Sequence, residues 1–117
     1  IGETLKERRQ KKTNQILKKQ IEKGLKSIKN KSKIIIAYEP VWSIGTGVIP
    51  KEADLNKTIS FIKSRFVKKY PKILYGGSVN TNNVSILKKI ASIDGFLIGG
   101  ASQNPKKFID IIKKTIN

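Results

Sequence analysis

Ile34-Ile35-Ile36-Ala37-Tyr38 is a continuous apolar run, and a carboxylate, Glu39, follows it directly. An acid at the end of a buried strand is partly stripped of water, which raises its pKa toward that of a useful base. Taken alone, Glu39 is more often an ordinary strand-end acid before a loop. Its neighbours sharpen the reading. Pro40-Val41-Trp42 is stiff and bulky, and Ser43-Ile44-Gly45-Thr46-Gly47 forms a glycine-containing tip. Rigid ends around such a tip are the layout of a hinged lid, whose backbone N–H groups can be brought onto an anion.

Two further segments place small residues where a strand should turn outward: Tyr75-Gly76-Gly77-Ser78 and Gly99-Gly100-Ala101-Ser102. Glycines let the backbone approach a ligand closely, and successive N–H groups form an anion nest. A helical turn after Gly99-Gly100 would add its positive dipole end. A lone Gly-Gly usually makes only a tight turn. Two of them on the same edge as Glu39 favour a phosphate site.

The elements that must position these residues follow from periodicity. Residues 3–30 are predicted as one long helix, with Leu17, Ile21, Leu25 and Ile28 on one stripe. Residues 33–38 form a strand buried on both sides. Pro40 to Pro50 is loop, and residues 51–69 are a helix with Leu55, Ile59, Ile62 and Phe66 on one face. Residues 72–75 form a second strand, 81–92 a third helix, and Phe96-Leu97-Ile98 a third strand. Asn104-Pro105 starts the last helix with a good cap and Pro in the first turn, and Phe108, Ile112 and Ile116 face inward. Alternating helices and strands without hairpin signals imply a parallel sheet with right-handed crossovers. Ligands bind such sheets at the C-terminal edge, where Glu39, Ser78, Gly99 and Gly100 should converge.

Composition narrows the chemistry. The 117 residues suffice for one modest core and contain neither Cys nor His. Disulfide and thiolate chemistry is excluded, along with the commonest general acid/base and transition-metal ligand. No cofactor or metal is expected. No apolar run approaches the roughly 18 residues of a membrane span, so a soluble cytoplasmic protein is expected. The net charge of +17 comes from 22 Lys and only three Arg (Arg8, Arg9 and Arg65), with no aromatic residues interleaved. Arg is the usual partner for bidentate phosphate and base contacts, so the charge reads as a solvated surface, with no specific nucleic-acid binding expected. Met is absent and the chain opens on Ile1-Gly2-Glu3-Thr4, at the start of a helix where an α/β chain should start with a strand; the expectation is a truncated gene product.

Four segments together resemble the triosephosphate isomerase family in order and spacing. They are Ile1-Gly2-Glu3-Thr4-Leu5; Ala37-Tyr38-Glu39-Pro40-Val41-Trp42 with Ile44-Gly45-Thr46-Gly47; Tyr75-Gly76-Gly77-Ser78-Val79; and Asp94-Gly95-Phe96-Leu97-Ile98-Gly99-Gly100-Ala101-Ser102. The resemblance implies the eight-stranded (β/α) barrel, with this chain as its C-terminal part, helix 5 to helix 8, in a single domain. It implies three parallel strands and four main helices here. Glu39 would be the base that moves a proton between adjacent carbons of dihydroxyacetone phosphate and glyceraldehyde 3-phosphate. Gly45, Ser78, Gly99 and Gly100 would bind the substrate phosphate, and the parent would be a homodimer.

Two departures accompany the resemblance. The family's active-site Lys, Asn and His and its second Glu match nothing in residues 1–117, so the chain by itself is expected to be inactive. In the family, the Tyr of the Tyr-Gly-Gly-Ser motif also bonds a backbone N–H at the lid's far hinge. Pro50 occupies that position and has no N–H, which leaves open how Tyr75 latches the lid. A basic nucleic-acid module would not explain the lid segment, and a generic phosphate-binding half-barrel would not explain Glu39 followed by Pro-Val-Trp.

Overall fold

A computed structural model describes all 117 residues, Ile1–Asn117. Two helices, α1 (Leu5–Arg9) and α2 (Thr13–Gly24), precede strand β1 (Ile35–Tyr38). Helix α3 (Glu52–Lys63), strand β2 (Lys72–Tyr75), helix α4 (Val84–Leu87), strand β3 (Gly95–Phe96) and helix α5 (Pro105–Ile116) follow. The sheet is parallel throughout, in the order β1-β2-β3, with Tyr38 beside Tyr75 and Tyr75 beside Phe96.

Side chains alternate across a strand, so each face of the sheet has its own set. Ile36 and Tyr38 of β1 and Ile73 and Tyr75 of β2 join Leu17 and Ile21 of α2 and Leu55, Ile59 and Ile62 of α3 in one buried core. Val84, Leu87 and Ile111 extend it beneath α4 and α5. The opposite face is poorly covered: Ile35 is 64% exposed, and Ala37 and Leu74 are only half-buried. The strand run is therefore covered on one side, not two, because the core residues of α2, α3, α4 and α5 all join the same face. That one-sided cover is what a segment of a closed barrel presents, with the uncovered face turned toward the barrel interior.

The predicted helix 3–30 is two helices, making five in all. A capping box starts α1: the Thr4 hydroxyl accepts from the Glu7 N–H, and the Glu7 carboxylate accepts from the Thr4 N–H. The chain then turns at Lys11, whose φ of 57° is left-handed. The N–H groups of Lys11 and Lys12 reach back to Arg8 and Glu7, closing α1 without a glycine. The apolar stripe is buried at Leu17 and Ile21 and continues to Leu25, which caps α2 and packs against the core; Ile28 lies beyond the end of α2 and is 42% exposed.

The chain opens on an extended segment. The Ile1 N-terminus donates to the Ala37 carbonyl at 2.8 Å, and Ile1 and Glu3 carbonyls accept from the N–H groups of Glu39 and Val41. This is the slanted pattern of a parallel ladder, so residues 1–3 flank the outer edge of β1. Gly2 allows the approach, since a Cβ there would stand 1.8 Å from the Glu39 carbonyl oxygen. Gln20 of α2 pins the segment from the other side, accepting from the Gly2 N–H and donating to its carbonyl.

The inward face of α5 is also shifted. Ile111 is its buried residue, while Phe108, Ile112 and Ile116 are 36%, 40% and 78% exposed. With Phe96 and Ile98 they line a shallow apolar groove along the bare edge of β3. No strand lies beyond that edge, and β3 is accordingly shorter than the predicted Phe96–Ile98.

Candidate functional site

Each strand ends by handing its chain to a turn on the same edge of the sheet, and these turns enclose a cavity of about 520 Å³. Glu39, Gly45, Ser78, Gly99 and Gly100 all line it. The side chain of Glu39 lies across Gly76, where a Cβ would stand 2.6 Å from Glu39 Cγ. The main chain on either side is fixed, with the Glu39 N–H on the Ile1 carbonyl and the Gly76 N–H on the Tyr38 carbonyl. The backbone position of Glu39 is thus set by the sheet, not by the loop that follows.

That loop is tied at both ends. Val41–Ser43 wind one 3-10 turn after buried Pro40, and Gly45 and Gly47 adopt left-handed φ values of 68° and 77°. Such values are cheap only for glycine, which is why the tip carries two. The Gly47 N–H donates to Ser78 Oγ at 2.9 Å, bringing the lid onto the turn after β2. Trp42, at the other end, donates to the Glu3 carboxylate at 3.4 Å and is stacked on the Arg8 guanidinium.

Glu3 is fully buried, and its charge is compensated by Arg8 at 3.1 Å together with donors from Tyr38 and Thr13. Burial, reinforced by the adjacent Glu3 carboxylate, pushes the Tyr38 hydroxyl far above its usual range. Burial likewise raises the Tyr75 hydroxyl. Both tyrosines are neutral donors at any ordinary pH.

The third wall of the cavity is the turn after β3. Gly99 leads into a 3-10 turn, Gly100–Gln103, and the space where side chains would stand at Gly99 and Gly100 is open. The N–H groups of Gly45, Gly99 and Gly100 donate to no protein acceptor. Lys107, from the first turn of α5, adds a cation to the wall. A carboxylate, free backbone donors and a lysine around one cavity suit a small ligand with an anionic end and a carbon acid beside it.

The family model described as triosephosphate isomerase matches residues 1–115. The chain belongs to the triosephosphate isomerase family. It is 46% identical to the triosephosphate isomerase of Mycoplasma mobile over 97% of this chain and 46% of that protein. Identity to the enzymes of Thermodesulfovibrio yellowstonii and Saccharomyces cerevisiae is 43%, over 97% and 96% of this chain and 48% of each relative. The chain spans about half the length of the curated relatives it matches. Its three parallel strands and outer helices are a partial (β/α) barrel of the triosephosphate isomerase fold.

The triosephosphate isomerase motifs carry the five predicted site residues that line the cavity, but sequence reasoning missed three groups around them. Lys107 carried no signal among 22 lysines. Glu3 read as part of a helix start, whereas it is the buried anchor for Tyr38 and Trp42. Ser43 read as part of the lid tip, whereas it is buried and bonded to Tyr75. A polar residue directly after an apolar Pro-Val-Trp step was the available hint.

Proposed function

We propose that residues 1–117 are the C-terminal portion of a single barrel domain of a triose-phosphate isomerase. The parent enzyme interconverts dihydroxyacetone phosphate and glyceraldehyde 3-phosphate in glycolysis and gluconeogenesis, as a cytoplasmic homodimer. No helix here is long and apolar enough to cross a membrane, in keeping with that setting. The observation that carries the reading is the convergence of Glu39, Gly45, Ser78, Gly99 and Gly100 on one cavity at the C-terminal edge of the sheet.

In this reading Glu39 takes a proton from the carbon next to the substrate carbonyl and returns it to the neighbouring carbon. Its side chain lies against Gly76 on a backbone fixed by the sheet, which places the carboxylate for both transfers. The free N–H groups of Gly45, Gly99 and Gly100 hold the phosphate, and Ser78 closes the lid over it through Gly47. Neither cofactor nor metal enters the reaction. The carbonyl must be polarised as the proton leaves, and residues 1–117 contain no His to do so. The polarising groups therefore belong to the other half of the barrel, and the chain alone should be inactive.

The test joins this chain, at Ile1, to the first half of the Thermodesulfovibrio yellowstonii relative and follows turnover in a coupled assay. The joined barrel should turn over, and residues 1–117 alone should not. Glu39→Gln in the joined barrel should lower kcat by roughly 10³-fold while KM changes little, because the amide keeps the shape but accepts no proton. Unchanged kcat in that variant would place the base elsewhere.

A further inference from the structure

Ser43 is fully buried at the end of the lid's first turn, and its hydroxyl is the meeting point of three segments. Ser43 Oγ lies 2.5 Å from the Val48 carbonyl oxygen, 2.9 Å from Tyr75 Oη and 3.3 Å from the Ser78 nitrogen. A serine hydroxyl has one proton and two lone pairs. The Val48 carbonyl can only accept and the Ser78 N–H can only donate. Ser43 therefore gives its proton to Val48, and Tyr75 donates to Ser43. Every hydrogen-bonding capacity of the hydroxyl is used.

The partners are the far limb of the lid, the end of β2 and the turn that carries Ser78. Ser78 Oγ accepts from the Gly47 N–H, so a ring of bonds runs from Ser43 through Val48 and Gly47 to Ser78 and back. Gly77 gives the ring its room: a Cβ there would stand 2.0 Å from Tyr75 Oη and 2.6 Å from Ser43 Oγ. At the far hinge, Pro50 is buried and has no N–H to offer Tyr75. The Tyr75 hydroxyl has turned instead to the near hinge, as a donor.

We propose that Ser43 is a positioning residue whose hydroxyl latches the lid over the cavity, in place of the backbone latch that Pro50 cannot form. The proposal rests on the isomerase reading for what the lid covers, but the latch itself is measurable without substrate. Removing the hydroxyl should free the lid and leave the sheet intact, since Ser43 makes none of the β1–β2 ladder bonds.

Amide hydrogen exchange on the 117-residue chain, resolved by segment, tests this with Ser43→Ala, Tyr75→Phe and the double variant. In the unmodified chain, the amides of residues 46–48, the bonded ones of the lid, and of residues 76–80 should be protected. In Ser43→Ala both segments should exchange at least about tenfold faster, since the bonds to Val48, Tyr75 and Ser78 are lost together, while residues 35–38 and 72–75 keep their rates. Tyr75→Phe removes only the Tyr75 bond and should act on the same segments more weakly, and the double variant should exchange no faster than Ser43→Ala, which already lacks that bond. Trp42, the single tryptophan and Ser43's neighbour, should become more open to acrylamide quenching in each variant. Unprotected lid amides in the unmodified chain, no local acceleration in Ser43→Ala, or equal acceleration across β1 and β2 would each overturn the proposal. If Ser43→Ala does not fold, Tyr75→Phe decides alone, and an unchanged lid there overturns it. Loss of the latch leaves the Glu39 test standing, and failure of the Glu39 test leaves the exchange result standing.

Discussion

Glu39 is positioned by what is missing beside it. The hydrogen of Gly76 leaves the space in which the Glu39 side chain lies, and a methyl group there would overlap Cγ at 2.6 Å and crowd the carboxylate at 3.1 Å. Backbone bonds hold both residues, so the side chain must give way. Gly76→Ala in a joined barrel should therefore displace the base and lower kcat by roughly 10²-fold, with a much smaller change in KM. Steady-state kinetics check this, and an unimpaired Gly76→Ala enzyme would mean that the carboxylate works from another rotamer. The lid serines act by contact as well: Ser78 through the Gly47 N–H and Ser43 through Tyr75.

Between elements, the join of β2 to β3 depends on Asp94. Its carboxylate accepts from the Ile73 N–H at 2.9 Å, its own N–H donates to the Ile73 carbonyl, and Lys63 and Lys72 lie at 3.6 Å. Burial pulls this carboxyl upward, but the Ile73 N–H and the two lysines outweigh it and hold the pKa below the ordinary value. A depressed carboxylate stabilises the fold above its unfolded-state pKa and loses that contribution as pH falls below about 4. Asp94→Asn should accordingly cost about 1 kcal/mol near pH 7 and flatten the acid limb of the stability curve. Denaturant melts at pH 7 and pH 3 measure both. A variant whose stability falls with acid as steeply as the unmodified chain would place the acid sensitivity elsewhere.

The elements differed in how much the sequence disclosed. Strand β2 was legible at both ends, because Gly76-Gly77 stops an apolar run, and the shared edge of Glu39, Ser78, Gly99 and Gly100 followed from strand order. The break at Lys11 was not legible, since a left-handed lysine is held there by bonds to Arg8 and Glu7 and not by its own preference. The extended segment at residues 1–3 was not legible, and Glu3 read as part of the helix, because three extended residues have no period to read. Ser43 gave only the hint of a polar residue after Pro-Val-Trp, because its partners Tyr75 and Ser78 come from another strand's end. Local pattern names elements and stops; long-range bonds decide caps, edges and latches.

Across the whole molecule, one face of the sheet and the outer edge of β3 lack cover. Ile35, Leu97, Phe108, Ile112 and Ile116 are all at least 36% exposed, and a bare parallel edge offers unpaired backbone groups. The isolated chain should self-associate, sedimenting above its 13.1 kDa monomer mass and binding a hydrophobic dye. A monomer that melts cooperatively and binds no dye would contradict this.

The central claim is that Glu39 carries the substrate's proton. Solvent deuterium uptake by the substrate, followed by proton NMR in the joined barrel, tests it most directly. With Glu39 present, deuterium should enter the carbon next to the carbonyl during turnover, because a carboxyl group exchanges its proton with solvent. With Glu39→Gln, uptake should fall to the uncatalysed rate while a phosphate-bearing competitor still binds. Deuterium entering at the unmodified rate in the Gln variant would contradict the account.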